Sequence, residues 1–166
     1  MPFTLFHLGP AALLGLAFYR YLDLPTFLAA NVIVDVRAAL ILLGPWEGQF
    51  HGPLQTFAGG TVIALLLAAA VYRFYGPVQQ VMEWFDLGQV RDRGRILAAA
   101  VLGIWLHIVL DSMLWSDMQP FAPFTWNLFL GVAGLPAVHI AAIAAGLVAV
   151  PVYMYGRRTG RYPEPV

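Results

Sequence analysis

Long apolar stretches separated by short polar ones dominate the pattern of the chain. A helix needs about 20 mostly apolar residues to cross a bilayer, and about 17 is the lower limit. Five stretches meet this requirement: Leu5 to Tyr21, Pro25 to Gly44, Leu54 to Tyr75, Ile96 to Trp115 and Leu135 to Tyr155. The pattern predicts an all-α integral membrane bundle of about five transmembrane helices.

The segments between these spans carry signals of their own. Residues 76–95, GPVQQVMEWFDLGQVRDRGR, place apolar and polar residues at helical spacing, which predicts a short interfacial helix between spans 3 and 4. Residues 117–134 are rich in proline and aromatic residues, which indicates a re-entrant or interfacial loop. No repeat or long polar linker divides the chain, so residues 1–166 are predicted to form a single domain.

Composition agrees with a membrane protein. Of the 166 residues, 60% are hydrophobic and 11% are charged, against about 25% charged in soluble domains. Cysteine is absent, which excludes disulfides, thiolate metal sites and cysteine nucleophiles. All nine basic residues are arginine, and no Lys/Arg cluster lies on a soluble module, so a nucleic-acid partner is not expected.

The arginines predict the orientation, because basic loops stay on the cytoplasmic side. Eight of the nine fall on one side of the predicted topology: Arg20, Arg73, Arg91, Arg93, Arg95, Arg157, Arg158 and Arg161. This distribution predicts a multi-pass cell-membrane protein with its N-terminus outside and its C-terminus in the cytoplasm. Arg37 is the exception, because it lies within the second span, two residues after Asp35.

Ionisable residues inside membrane spans cost about 2.5 to 3.5 kcal/mol each on insertion scales, so each one is a candidate functional residue. Six candidates lie toward the predicted outer leaflet, and Asp35 lies within a few turns of them; the full set is His7, Asp35, His51, His107, Asp111, Asp117 and His139. Four residues separate His107 from Asp111, so both side chains can reach one ion from the same helix face. Imidazole with carboxylate suits Zn²⁺ and its neighbours.

Simpler interpretations exist for several of these residues. His107 and Asp111 could form a hydrogen-bonded pair that joins helices. Arg37 could bind a substrate phosphate or a protein carboxylate, since its guanidinium suits either anion. Asp117 could make an outer-loop contact instead of serving the site. For His139 a structural role is favoured, because no acidic residue follows it at ligand spacing.

Four short motifs in order resemble one family. They are the N-terminal MPFTLFHLGPA, then NVIVDVR, then FHGPLQTFAGG, and finally the HxxxD of His107 and Asp111. This arrangement resembles the membrane-bound metal-dependent hydrolases called YdjM-like, which are distantly similar to helical zinc-dependent phospholipases C and single-strand-specific zinc nucleases. The resemblance covers residues 1 to about 120.

The resemblance implies a fold and a chemistry. It implies that one or more divalent ions, zinc above all, are held by His7, Asp35, His51, His107 and Asp111. Water activated by the metal would then attack a phosphoester or a lipid-like amphiphilic phosphoester, in a site open to the extracytoplasmic side. Beyond the resemblance, our own hypothesis makes Asp111 or Asp117 the proton acceptor and places Arg37 on the substrate anion. No organic cofactor is implied.

Gln55 departs from the family pattern. The family usually has a second histidine four residues after the first in the third motif, where this chain has Gln55, whose amide oxygen is a poorer ligand. A catalytically degenerate membrane scaffold or accessory subunit is therefore an alternative. A small carrier with a proton relay through Asp35, His107 and Asp111 is a third hypothesis, although the chain lacks inverted repeat halves.

Overall fold

The structure is a computed structural model that describes residues 4–44, 48 and 51–162. Over these residues the chain forms α-helices and no strand, so the all-α prediction is confirmed. The helices are α1 (Thr4–Ala17), α2 (Leu24–Ile33), α3 (Val36–Leu42), α4 (Phe57–Arg73), α5 (Tyr75–Glu83), α6 (Arg93–Leu114) and α7 (Leu135–Arg158). A single 3-10 turn, Pro53–Gln55, precedes α4.

Short polar side chains begin three of the helices. The backbone N–H groups of a first helical turn lack partners within the helix, and a side-chain oxygen at the cap can accept from one of them. Asp23 accepts from the N–H of Thr26 at the start of α2, and Asp92 accepts from the N–H of Arg95 at the start of α6. Thr56 caps α4 in the same way. These caps explain why the helices begin immediately after short polar segments.

Helix α6 lies at the centre of the bundle, where it packs against α2 on one side and α4 on the other. Helix α1 packs between α2 and α7. The largest buried apolar cluster joins α2, α4 and α6, and it includes Ala30, Ala64, Ala100, Ile104 and Ile108. Because α6 packs against both α2 and α4, residues on two of its faces are buried.

Only some of the five predicted spans correspond to helices whose length and apolar composition would let them cross a membrane. Among the described residues, two helices, α6 and α7, are long and apolar enough to cross a membrane, and the number rises to as many as four when each bent pair of helices counts as one span. The apolar helix in the first predicted span is shorter, at Phe6–Ala17. A bundle of five spans is not confirmed and stays a prediction.

Two bends interrupt the predicted spans. The second predicted span breaks at residues 34–35, and α2 and α3 meet there at 41°. The third predicted span ends at Tyr75, where α5 begins after a bend of 78° from α4. Helix α5 therefore supplies the predicted short helix between spans 3 and 4, while its position at a membrane interface stays a prediction.

The proline-rich segment after α6 has no helix and folds across the ends of α4 and α6. The carbonyl of Pro120 accepts a hydrogen bond from the N–H of Phe57, and the Asn127 side chain donates to the Ser112 carbonyl. Phe121 stacks on Trp126 and also contacts Phe57. The segment thus covers the end of the bundle at which His107 and Asp111 lie.

Candidate metal centre

The five residues proposed as ligands are brought together from four parts of the chain. His7 comes from α1, Asp35 from the α2–α3 bend, His51 from the segment before the 3-10 turn, and His107 and Asp111 from α6. All five side chains are buried, with exposed fractions from 0% for His107 to 7% for His7. The cluster therefore lies inside the protein.

Asp111 is the central residue of the cluster. Its Oδ1 lies 3.2 Å from Nε2 of His7, and its Oδ2 lies 3.1 Å from Nε2 of His107. The same Oδ2 lies 4.0 Å from Nε2 of His51. One carboxylate thus faces three imidazoles, each through its Nε2 atom.

His107 is oriented by a backbone carbonyl. Its Nδ1 lies 2.9 Å from the carbonyl oxygen of Asn31, and since a carbonyl only accepts, Nδ1 is the donor. In the neutral ring the lone pair is then on Nε2, which lies 3.2 Å from Oδ1 of Asp35 and 3.1 Å from Oδ2 of Asp111. A hydrogen bond of this kind on the far nitrogen is what orients metal-ligating histidines in proteins.

His51 is also held through its Nδ1 atom, in this case by the carboxylate of Asp117. Oδ2 of Asp117 lies 2.8 Å from Nδ1 of His51, and the Asp117 side chain is 44% exposed. Nε2 of His51 is buried and makes no hydrogen bond within the described part of the chain. Asp117 therefore orients His51 toward Asp111 and lies at the solvent-exposed edge of the cluster.

The His7 ring stacks on that of His107, with centroids 4.0 Å apart and ring planes 19° apart. One ligand atom from each of His7, Asp35 and His107 lies within 4.8 Å of the other two. Donors bound at about 2.0–2.1 Å around a tetrahedral ion are about 3.3 Å apart, close to the 3.1–3.2 Å contacts of His107 with the carboxylates.

Charge balance also fits a cation. Two carboxylates, Asp35 and Asp111, are at most 3% exposed, and buried carboxylates are costly unless positive charge compensates them. In this cluster that charge can come from a second proton on His107 or from a divalent ion among the ligands. The donor set of imidazole nitrogen and carboxylate oxygen is suited to zinc-like ions.

Two cavities reach the cluster. One, of about 30 Å³, is lined by His7, Asp111, Trp115 and His139, and it can hold one or two water molecules. The other, of about 200 Å³, is lined by His51, Thr56, Asp117, Met118 and Gln119. His139 donates through Nδ1 to the Leu135 carbonyl of its own helix, so it lies at the cavity wall without an ion pair to the cluster.

Arg37 lies beside the loop that carries His51. Its guanidinium packs so closely against Gly52 that the Cβ of any other residue there would overlap it. Arg37 is half-buried and forms no ion pair with a carboxylate among the described residues. Arg37 thus places a positive charge against Gly52, one of the residues that line the larger cavity.

Gln55 closes the turn that follows His51. The side-chain Oε1 of Gln55 accepts from the backbone N–H of Gly52 at 3.0 Å. The backbone N–H of Gln55 donates to the Gly52 carbonyl at 2.9 Å. The Gln55 side chain is buried, with its oxygen already engaged. Gln55 therefore stabilises the position of His51 and is not a member of the ligand cluster.

Asn31 belongs to the candidate site, although the sequence pattern did not single it out. Its carbonyl orients His107, and its side chain, buried completely, donates to the Phe27 carbonyl. An asparagine one turn before Asp35 in an apolar helix was the available signal, because the two residues share a helix face. The role of its backbone carbonyl depends on how α2 meets α6, which no local pattern reveals.

Comparison with protein-family models, curated proteins and solved structures finds no match to this chain. The resemblance to YdjM-like hydrolases therefore rests on the motifs alone and stays a prediction.

Proposed function

We propose that this protein is a membrane-embedded, metal-dependent hydrolase of phosphoester or phospholipid-like substrates. The observation that supports it best is the buried cluster around Asp111, in which three imidazoles present Nε2 to one carboxylate. The ligands would be His7, Asp35, His51, His107 and Asp111, and the ion would be zinc or a close neighbour. Such an ion supplies Lewis acidity and lowers the pKa of a coordinated water toward about 7.

The protein's own groups have distinct roles in this proposal. Asp117 holds His51 at Nδ1 and, being 44% exposed, can accept a proton at the edge of the larger cavity. Arg37 binds the substrate anion beside the His51 turn, where its guanidinium can donate to two phosphate oxygens. The buried walls of the cluster exclude bulk water, which strengthens electrostatic interactions within it.

The proposed setting is a multi-pass protein of the cell membrane, with its N-terminus outside and the cluster toward the extracytoplasmic side. The absence of arginine from that side supports this orientation. Amphiphilic substrates could then reach the larger cavity from the membrane surface.

The test is metal analysis of the protein extracted in a mild detergent, followed by assays on a panel of phosphoesters and phospholipids. We expect bound zinc-like metal in the wild type and its loss in His107→Ala with Asp111→Ala. The control, His139→Ala with Glu83→Ala, removes one imidazole and one carboxylate from outside the cluster and should retain the metal.

Each other outcome favours a different function. A wild type that contains no metal, and takes up none when zinc is added, would contradict the proposal. In that case a proton flux in liposomes that Asp35→Asn abolishes and chelators do not affect would favour the proton carrier. Full metal content without hydrolysis of any substrate would favour the scaffold or accessory subunit.

A further inference from the structure

Two arginines share one aromatic ring at the far end of α6 from the metal cluster. The guanidinium carbon of Arg91 lies 3.8 Å from the centroid of the Tyr72 ring, and that of Arg93 lies 4.8 Å from it. Arg91 also donates to the Tyr72 carbonyl. Eighteen residues separate Arg93 from Asp111, which is about 27 Å along the helix.

Neither arginine forms an ion pair with a carboxylate among the described residues. Asp92 lies between the two arginines in the chain, but its side chain accepts from the N–H of Arg95 at 2.7 Å as the cap of α6. The one arginine–carboxylate ion pair in the described ranges joins Arg157 to Asp86. Two guanidinium groups that contact one ring place two positive charges at this end of the bundle, and both can donate to an anion.

The segment that carries Arg91 is held in place by the side chain of Gln89. Its Nε2 donates to the carbonyls of Tyr19 and Leu22, both at 2.9 Å, and its Oε1 accepts from the N–H of Leu24 at 2.7 Å. The arginine therefore projects from an anchored backbone, so little conformational entropy is lost on binding.

The surroundings of the pair indicate a lipid. Helix α5 turns away from α4 by 78° and leaves Val81, Trp84 and Phe85 exposed, with Trp84 exposed at 79%. Val90, next to Arg91, is exposed at 75%. Exposed aromatic and aliphatic side chains on the helix that follows Tyr72, together with Val90 next to Arg91, are the composition of a surface that lies among lipid headgroups.

We propose that Tyr72, Arg91 and Arg93 bind the headgroup phosphate of an anionic phospholipid, at the end of the bundle remote from the metal cluster. The two guanidinium groups contact the phosphate oxygens, and the apolar side chains of α5 lie against the acyl chains. An anionic headgroup is favoured over a zwitterionic one because both guanidinium groups stack on one ring and neither forms an ion pair with a carboxylate among the described residues. This site does not depend on the proposed hydrolase function.

The experiment measures lipid binding by native mass spectrometry of the detergent-solubilised full chain. Phosphatidylglycerol and phosphatidylcholine are titrated separately, and inorganic phosphate is added as a competitor. The test variant is Arg91→Gln with Arg93→Gln. The matched control is Arg20→Gln with Arg158→Gln, which removes two exposed charges from the same predicted side.

We expect the wild type to bind phosphatidylglycerol at least about tenfold more tightly than phosphatidylcholine, and the test variant to lose this preference. The control variant should keep it within about twofold. Unchanged preference in the test variant, or equal loss in the control, would overturn the proposal. Equal displacement by millimolar phosphate would overturn the assignment to a lipid.

A second variant guards against misfolding of the first. Arg93→Gln alone leaves intact the bond from Arg91 to the Tyr72 carbonyl, so the end of α4 is undisturbed. This variant should fold with the thermal midpoint of the wild type and still lose several-fold of the preference for phosphatidylglycerol. Retention of the full preference in this folded variant would contradict the proposal.

Discussion

Replacement of Gly103 by alanine tests whether the contact of α2 with α6 sets the geometry of the cluster. A Cβ at this position would lie 2.6 Å from Cβ of Ala30 and 2.9 Å from the carbonyl oxygen of Phe27. Carbon atoms in contact are about 3.5–4.0 Å apart, so the helices must separate by roughly 1 Å. The hydrogen bond from His107 to the Asn31 carbonyl, now 2.9 Å, would then exceed its ordinary length.

Two effects follow, and they can be measured separately. Overpacking should lower the free energy of unfolding of the metal-free protein by about 1–3 kcal/mol, partly offset by the higher helix propensity of alanine, about 1 kcal/mol. Loss of the hydrogen bond that orients His107 should lower the metal affinity about 10- to 100-fold. Thermal unfolding gives the first effect, and titration with Co²⁺, followed by its visible absorption, gives the second.

The design includes a rescue and a control. Ala30→Gly removes the atom nearest to the new Cβ, so the double variant should recover part of the metal affinity. Gly76→Ala, at an open position on α5, adds helix propensity without overpacking, so it should leave the Co²⁺ affinity unchanged and should not lower the stability. If Gly103→Ala lowers stability but binds Co²⁺ as tightly as the wild type, the contact of α2 with α6 does not set the ligand geometry and the reasoning is refuted.

Three further predictions concern the edge of the cluster. Asp117→Asn should weaken metal binding about tenfold without changing the number of bound ions, because it removes the negative charge beside His51. A calorimetric titration measures the affinity and the number of ions, and a changed number would make Asp117 a ligand. Gln55→Met should lower the free energy of unfolding by about 1–3 kcal/mol, because the backbone N–H of Gly52 loses its acceptor. Thermal unfolding measures this change, and the control Gln80→Met, at an exposed position, should have little effect. Arg37→Gln should raise KM for an anionic phosphoester while metal content stays constant, and loss of metal would contradict its role on the anion.

Local sequence patterns predict several features of the candidate site. The hydropathy of each segment predicts the apolar helices, and helical periodicity alone places His107 and Asp111 on one face. The break at Asp35 was not predicted, because neither proline nor glycine lies near residues 34–35, and residues 25–44 were expected to form one continuous span. A break of this kind places a carboxylate at a helix end, where its side chain is less constrained by neighbouring turns.

The sequence by itself determined which polar residues lie in apolar surroundings and at what helical spacing, since both depend on near neighbours in the chain. Only the tertiary structure decided which atoms meet: His107 with the carbonyl of Asn31, 76 positions away, and His51 with Asp117, 66 positions away. Such contacts depend on the approach of α2 to α6 at Gly103 and on the fold of the segment after α6. Helix packing through small residues is a property of surfaces in three dimensions, which hydropathy and periodicity do not encode.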